Sequence, residues 1–309
     1  MTDWKPRTRA VHAGTRRSQY GEVSEAIFLT QGFVYDSAEA AEGRFEALGE
    51  DEFIYARYGN PTVAMFEDRI ASLEGAEAAF ATASGMAAVS GALMSMLKAG
   101  DRVVAARALF GSCLYVLEEI LGRYGVEIVL LDGTDLAAWE REITPETDVV
   151  FFESVSNPTL EVVDIAAVAK LAHAQNAKVV IDNVFASPVY SRAFEQGADV
   201  VIYSATKHID GQGRAMGGVI LGSEEYIRKT VEPFLKHTGP AMSPFSAWIM
   251  LKGPKPWPRR WWGTRNWHAP FIPVIRRTRS TICACARWAR AARCWRWTLR
   301  AAKRRRSGF

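Results

Sequence analysis

The feature that most constrains the fold is a repeated alternation of short apolar runs and amphipathic segments between Ala76 and Leu221. Apolar runs that alternate with segments of helical period are typical of strand–helix units, whose strands lie side by side in a parallel sheet. The pattern therefore predicts an α/β fold with a mainly parallel sheet flanked by helices. Strands are predicted at Arg102–Ala106, Glu127–Leu131, Asp148–Glu153, Lys178–Asp182, Val200–Ser204 and Gly217–Leu221.

The clearest helix is predicted between Asp164 and Asn176, with Asp164 as its N-cap. Its apolar residues share one face, as expected for a helix packed on a sheet: Ile165, Val168, Ala169, Leu171 and Ala172. The segment before Ala76 has little periodicity and several aromatic and glycine turns. We therefore expect residues 1–60 to form an extended N-terminal arm that contributes to a neighbouring subunit.

Polar residues follow three of the predicted strands, where sheets of this kind bind ligands. They lie at 153–157, at 182–183 and at 204–207. Pyridoxal phosphate needs an amine for its aldehyde, hydroxyls for its phosphate and a carboxylate for its pyridine nitrogen. Lys207, Ser204 with Thr206, and Asp182 offer these groups, although Asp182 taken alone is more typical of a helix N-cap. The sequence therefore predicts a Schiff base on Lys207, in a dry pocket where this amine can also act as a base.

A further helix is predicted to begin at Ser84, Gly85 and Met86. The free N–H groups and the positive dipole end of a helix suit a phosphate group. Many helices begin with Ser-Gly, so this signal is weak alone and gains weight only beside the lysine motif. Met94 and Met96 in the same segment are interpreted as core residues.

Five motifs, in order along the chain, resemble those of the Cys/Met-metabolism group, the γ-subfamily of fold-type I pyridoxal-phosphate enzymes. They are YARYGNPT (55–62), ASGMAA (83–88), ESVSNPT (153–159), IDNVFASP (181–188) and YSATKHIDGQGRAMGG (203–218). The resemblance spans nearly all of residues 1–252. It implies an aminotransferase-like fold, a catalytic domain at 61–252 that binds pyridoxal 5′-phosphate, no metal, and a homo-oligomer built as a dimer of dimers, that is, a homotetramer.

The resemblance also implies a role for each matching residue. Within one chain the phosphate would be bound by Gly85, Met86, Ser204 and Thr206. Tyr55 and Arg57 would bind the cofactor phosphate of the neighbouring subunit. Asn157 would lie near the cofactor O3′ and the substrate carboxylate, Asp182 would hold the pyridine nitrogen, and Lys207 would hold the aldehyde.

The aromatic residue expected to stack on the cofactor ring is Phe110, in ALFGSC, where the family usually has tyrosine. Phenylalanine cannot donate a proton, so Lys207 or the neighbour's Tyr55 would have to assist the leaving group. This turn, with DNVFASP and KHIDGQGR, is similar to family members that use O-succinyl-L-homoserine and sulfide to make L-homocysteine and succinate in methionine biosynthesis. Cystathionine γ-synthase, O-acetylhomoserine sulfhydrylase and methionine γ-lyase activities remain alternatives.

Composition changes abruptly after residue 252. The first 252 residues contain 22 basic and 34 acidic residues, whereas residues 253–309 contain 16 basic and no acidic residues. Seven of the ten tryptophans and three of the four cysteines also fall in this tail. The resemblance stops there, where the family continues with a small C-terminal domain. We interpret the tail as a frameshift in a GC-rich gene and expect it to be disordered, so that the small domain is missing or scrambled.

Two alternatives concern the tail and the activity. The tail could be a nucleic-acid-binding arm, because basic and aromatic residues interleave in it. The chain could also be a cofactor-binding remnant without turnover, since neither of the motifs that carry the family's Ser and Arg for the substrate carboxylate occurs in the tail. We expect small-molecule partners, an O-acylhomoserine and sulfide, and neither nucleic acid nor a membrane. The absence of a long apolar run or a signal core favours a cytoplasmic location.

Overall fold

The structure is a computed structural model that describes residues 4–49 and 51–253. One sheet of seven strands forms in these residues: β1 Ala78–Thr82, β2 Arg102–Ala106, β3 Glu127–Leu131, β4 Val149–Glu153, β5 Lys178–Asp182, β6 Val200–Ser204 and β7 Gly218–Gly222. The strand order is β1-β7-β6-β5-β4-β2-β3. Neighbouring strands are parallel except where β7 is a partner, since β7 pairs antiparallel with both β6 and β1. The predicted α/β fold with a mainly parallel sheet is confirmed.

Helices connect the strands and precede the sheet. Their bounds are α1 Pro6–His12, α2 Ala38–Glu46, α3 Pro61–Glu74, α4 Gly85–Met96, α5 Gly111–Tyr115, α6 Leu136–Glu142, α7 Ile165–Ala174, α8 Ser187–Tyr190, α9 Glu224–Tyr226, α10 Glu232–Thr238 and α11 Pro244–Leu251. Short π-helical and 3₁₀ turns occur at Val116–Leu121, Gly122–Tyr124, Phe194–Gln196 and Ile227–Val231. Within the described ranges, every helix is too short or too polar to cross a membrane.

The predicted strands agree closely with the observed ones. Four have the predicted bounds, and the other two, β4 and β7, begin one residue later than predicted. Strand β1 was not predicted. Its sequence, AAFAT, is mostly alanine, which has low β propensity, and it becomes a strand because all five residues are buried against neighbours on the sheet.

The core lies on both faces of the sheet. Along β4 all five residues are buried, and their side chains alternate between two apolar clusters. Val150 and Phe152 belong to the first cluster, which includes residues of α3, α7 and α11. Val149 and Phe151 belong to the second, which includes residues of α4 and α5. Burial on both faces explains why these strands are continuous apolar runs rather than alternating ones.

The predicted helix on the 164–176 segment is confirmed as α7. The Asp164 carboxylate accepts a hydrogen bond from the Ala167 backbone N–H at 3.1 Å, as the predicted N-cap requires. The segment expected to form an extended N-terminal arm contains the short helices α1 and α2, and α1 packs on α3. Its contribution to a neighbouring subunit stays a prediction. The interpretation of the Arg/Trp-rich tail falls on residues 254–309, which lie outside the described residues.

Candidate active site

The carboxyl ends of three parallel strands meet at one edge of the sheet, as the sequence predicted. Glu153 at the end of β4 pairs in register with Asp182 at the end of β5. Asp182 in turn pairs with Ile202 of β6, and Ser204 ends that strand opposite Gly218 of β7. Because β7 runs antiparallel, it begins at the edge where the others end. Residues that are far apart in sequence therefore share this edge.

The N-terminus of α4 opens onto the same edge. Ser84 caps this helix, with its hydroxyl accepting a hydrogen bond from the Ala87 backbone N–H at 3.1 Å. Gly85 lies directly against Ser204, so that a Cβ at this glycine would be 2.5 Å from the Ser204 Cβ. Gly218 is packed as closely, because a Cβ there would collide with the Ser84 carbonyl oxygen. The close contact of the α4 N-terminus with β6 and β7, at Ser84, Gly85, Ser204 and Gly218, is called the cradle below. It requires glycine at both positions.

Thr206 and Lys207 follow β6 in a tight turn. The Thr206 hydroxyl accepts a hydrogen bond from the Gly217 N–H at 3.0 Å and lies 3.2 Å from the Gly217 carbonyl oxygen. The Lys207 backbone N–H donates to the Ser204 carbonyl oxygen at 3.2 Å, while its side chain is exposed. The described residues therefore leave Lys207 open to solvent, and the dry pocket expected around it stays a prediction.

A buried carboxylate organises the glycine-rich turn after Lys207. The Asp210 side chain is fully buried and accepts hydrogen bonds from the Arg214 backbone N–H at 2.7 Å and from the Arg214 Nε at 3.0 Å. The Arg214 guanidinium also donates to the Ile249 carbonyl oxygen at 3.2 Å. The turn is thereby fixed at its base and tied to α11.

Two carboxyl groups and a thiol form a cluster beside the strand ends. The reactive atoms of Cys113, Glu153 and Asp182 all lie within 4.8 Å of one another. Burial raises the pKa of Asp182 to about 6, although the Val184 N–H, which donates to its Oδ1 at 3.0 Å, opposes this. Burial, and then the nearby Asp182, raise the pKa of Glu153 to about 7. Burial also raises the pKa of the Cys113 thiol, which keeps this group neutral.

Phe110 and Asn157 are brought to this cluster through Glu153. The Phe110 backbone N–H donates to Oε1 of Glu153 at 2.7 Å, and the Asn157 backbone N–H donates to Oε2 at 2.6 Å. The Phe110 side chain is 44% exposed, so its ring is available to a ligand. Sequence reasoning included Glu153 among the residues at the strand ends and gave it no role.

Arg57 lies beside α10 in this chain, and Tyr55 lies beside Arg57. The Arg57 guanidinium donates to the Lys236 carbonyl oxygen and lies over two aromatic rings, 5.3 Å from the Tyr55 centroid and 4.8 Å from the Tyr58 centroid. Tyr55 is 40% exposed. The pair thus consists of an exposed phenol and a half-buried guanidinium, both within the arm.

A buried polar chain passes beneath the site and was missed from the sequence. The Ser154 hydroxyl donates to the Asn183 side-chain oxygen at 2.7 Å, and the Asn183 amide lies 2.5 Å from the Tyr203 hydroxyl. That hydroxyl donates to Glu74 at 2.6 Å. Burial raises the pKa of Glu74 to about 7. These contacts fix the segment that follows Asp182, and no sequence spacing signals them.

The sequence matches a family of known proteins along most of its length. The sequence model of the family described as "Cys/Met metabolism PLP-dependent enzyme" matches residues 7–260. The match includes all the strand-end motifs described above.

Individual relatives agree with this family. The chain is 58% identical over 247 residues to an O-succinylhomoserine sulfhydrylase of Mycobacterium tuberculosis, covering 80% of this chain and 60% of the relative. It is 48% identical over 248 residues to an O-succinylhomoserine sulfhydrylase of Pseudomonas aeruginosa, with the same coverage. An L-methionine γ-lyase of Porphyromonas gingivalis is 40% identical, over 80% of this chain and 62% of the relative. The chain thus spans about 60% of the length of the curated relatives it matches.

Solved structures share the fold. MetB of Corynebacterium glutamicum superposes with a TM-score of 0.76 at 30% identity, covering 82% of this chain and 64% of that one. An O-acetylhomoserine (thiol)-lyase assigned in Campylobacter jejuni superposes with a TM-score of 0.76 at 26% identity, covering 81% of this chain and 70% of that one. In that structure a lysine carries a pyridoxyl-5′-monophosphate group.

Proposed function

Because the chain belongs to the Cys/Met-metabolism family of PLP-dependent enzymes, we propose that it serves a γ-replacement in which O-succinyl-L-homoserine and sulfide give L-homocysteine and succinate. Pyridoxal 5′-phosphate is its cofactor. One observation carries the proposal: Asp182, the loop of Lys207 and the α4 N-terminus meet at one edge of the sheet. The similarity to two O-succinylhomoserine sulfhydrylases supports the choice of substrates.

The residues at this edge fit pyridoxal phosphate. The cradle where Gly85 lies against Ser204 leaves backbone N–H groups of α4 free for a phosphate group. A carboxylate in a buried position suits a pyridine nitrogen that must stay protonated, because the opposite charge compensates the burial of Asp182. When bound, pyridoxal phosphate supplies an electron sink for the negative charge that develops at the substrate Cα.

The proposed roles of the protein residues follow from this placement. Gly85, Met86, Ser204 and Thr206 would bind the phosphate group. Asp182 would hold the proton on the pyridine nitrogen, and Phe110 would stack on the ring. Lys207 would hold the aldehyde and afterwards move protons at the substrate Cα and Cβ, with assistance to the leaving group from Lys207 or the neighbour's Tyr55. Asn157 would orient the cofactor O3′ and the substrate carboxylate.

The same proposal includes a shared site in a homo-oligomer, a dimer of dimers. Arg57 is half-buried and contacts α10 within its own chain, while the phenol of Tyr55 beside it is exposed and available to a second copy. The exposed apolar residues of the arm support this, among them Tyr20, Val23 and Val34. A cytoplasmic location is also proposed, and the free buried thiol of Cys113 agrees with a reducing compartment.

The other γ-family activities remain the second candidate, supported by the 40% identity to an L-methionine γ-lyase. The proposed γ-replacement and the γ-elimination of an L-methionine γ-lyase differ in the fate of the substrate. Replacement consumes sulfide and conserves the amino group, whereas elimination proceeds without sulfide. Parallel reactions with and without sulfide therefore distinguish them.

Cofactor loading and turnover of the full chain test the proposal. We expect added pyridoxal phosphate to give a visible absorption band that is lost in Lys207→Ala and kept in Lys170→Ala, an exposed lysine of α7. Homocysteine should then form from O-succinyl-L-homoserine and sulfide. A band that survives in Lys207→Ala contradicts the assignment of the lysine. A Lys207-dependent band without homocysteine or any elimination product identifies a cofactor-binding remnant instead.

The shared site is tested by mixing two variants in the same assay. Lys207→Ala lacks the amine, and Arg57→Ala lacks the proposed contact to the neighbour's phosphate. A mixed dimer contains one site with both groups intact, so co-refolding should restore tight cofactor binding in part of the chains. A mixture that behaves as the sum of its two components would refute a shared site.

A further inference from the structure

Glu153 occupies a position that the proposed catalytic roles leave unexplained. It is the last residue of β4, its side chain is 4% exposed, and it lies in register beside Asp182. Buried carboxylates are uncommon unless they are paired or hydrogen-bonded. Within the described ranges no hydrogen bond or ion pair to a lysine or arginine is recorded for this carboxylate. Its partners are backbone amides.

These partners belong to two loops that are far apart in sequence. Oε1 accepts from the Phe110 N–H at 2.7 Å, at the start of α5, and Oε2 accepts from the Asn157 N–H at 2.6 Å, in the loop after β4. Each carboxylate oxygen therefore fixes one loop. Phe110 is proposed to stack on the cofactor ring, and Asn157 is proposed to face its O3′.

We infer that Glu153 is a positioning residue of the cofactor site, which holds the ring-stacking Phe110 and the loop of Asn157 in place with one oxygen each. This inference rests on the proposed function for the identity of the ligand. The two hydrogen bonds that Glu153 accepts from the Phe110 and Asn157 N–H groups, called the clamp below, do not depend on any ligand.

The charge of Glu153 is coupled to that of Asp182, the other ionisable neighbour besides the neutral Cys113. The proximity of Asp182 is one reason why the pKa of Glu153 is raised to about 7. A cation bound at Asp182 would compensate its negative charge and so favour the ionised form of Glu153. The ionised form accepts two hydrogen bonds that are stronger than those of a neutral acid. Coupling of this kind is reciprocal, so the clamp and cofactor binding should reinforce each other.

Amide hydrogen exchange in the full chain without cofactor tests the clamp directly. Glu153→Gln keeps the size of the side chain but replaces one acceptor oxygen by an NH₂ group, which cannot accept. We expect the Phe110 or the Asn157 amide to exchange about tenfold faster or more, since a hydrogen bond to a charged group is lost. Amides of α7 should not change.

Glu67→Gln is the matched control. Glu67 is a half-buried carboxyl with a pKa raised to about 8, and it accepts one backbone N–H, that of Ala81 at 2.6 Å. Glutamine can still accept that single bond. The control should leave exchange at positions 110 and 157, and cofactor affinity, unchanged.

The second measurement is cofactor binding. Glu153→Gln should weaken pyridoxal phosphate binding about tenfold and reduce the visible circular dichroism of the bound cofactor, because the ring neighbours are no longer fixed. Glu153→Asp keeps the charge, but its shorter side chain cannot reach both loops, and it should lose one amide and retain the other. This variant also serves if Glu153→Gln does not fold.

Unchanged exchange at both amides in Glu153→Gln and Glu153→Asp would overturn the inference. Faster exchange with unchanged cofactor affinity and dichroism would also overturn it, because Glu153 would then be structural only. Failure of the proposed function is a separate result: the wild-type chain would then give no Lys207-dependent band, while the exchange measurement still reports on the clamp.

Discussion

Gly85 shows how a single missing Cβ shapes the site. The α4 backbone approaches Ser204 so closely that a methyl group would lie 2.5 Å from its Cβ and 2.9 Å from its Cα. Real Cβ contacts are never this short, and the second neighbour is backbone, so either the helix or β6 must move. The conformational freedom of glycine is not needed here, because its φ is not positive.

Gly85→Ala is therefore expected to destabilise the chain by about 1–3 kcal/mol, as overpacking does, and to weaken pyridoxal phosphate binding. Gly43→Ala is the control, because Gly43 lies within α2 with no neighbouring atom within 4 Å of a built Cβ. Alanine there should be neutral or slightly stabilising. Urea denaturation and cofactor titration measure both effects. An unchanged stability in Gly85→Ala would contradict the prediction, because it would mean that α4 can move away from Ser204 without a loss of free energy.

At the level of elements, α4 and α7 both begin with a side-chain N-cap. Ser84 and Asp164 each accept a hydrogen bond from the backbone N–H three residues later, both at 3.1 Å. Only α4 has its first residue against Ser204, at the proposed phosphate site, whereas α7 packs on the opposite face of the sheet.

Ser84→Ala and Asp164→Ala should each lower the free energy of unfolding by about 1 kcal/mol, the usual contribution of an N-cap. Cofactor affinity should fall in Ser84→Ala alone, because fraying of the first turn of α4 disorders the N–H groups at the proposed phosphate site. Chemical denaturation and spectroscopic titration of the two variants provide the comparison. Equal cofactor affinities would separate the α4 N-terminus from the phosphate site.

Elements with strong local patterns were predictable, and contacts between distant elements were not. The strands at Lys178–Asp182 and Val200–Ser204 are apolar runs bounded by polar residues, so their ends, and with them Asp182 and Ser204, could be placed from the sequence. Glu153 could not be given a role, because both of its partners are backbone amides, one of them 43 positions away. Backbone donors leave no signature in residue type.

At the scale of the whole molecule, four buried or partly buried carboxyl groups among the described residues hold their protons more tightly than they would in an unfolded chain. Burial is the first cause in each case, and it raises the pKa of Asp182 to about 6, of Glu153 and Glu74 to about 7, and of Glu67 to about 8. Between the ordinary and the raised values, the folded chain binds more protons than the unfolded chain.

The cofactor-free chain should therefore lose stability as the pH rises from about 5 to about 8, by on the order of 1 kcal/mol per pH unit for each group that is titrating. Urea unfolding at several pH values measures this slope, and Glu67→Gln should make it shallower. This pH range begins near pH 5. At lower pH, stability should be lost again, because hydrogen bonds lower the pKa of Glu22, Glu39 and Asp132 in the folded chain, so that protonation of these groups opposes folding. A stability that rises between pH 5 and 8 would contradict the prediction.

The pairing of β1 with β7 has a consequence for biosynthesis. Thr82 pairs with Gly218, so β1 must wait for β7, its neighbour in the sheet, until roughly 140 more residues have been translated. At about 5–20 residues per second, this delay is roughly 7–30 s. During that time the turn at Ser84 has neither Ser204 nor Gly218 against it. The proposed phosphate cradle is thus among the last parts of the sheet to form, after Lys207 itself has been translated.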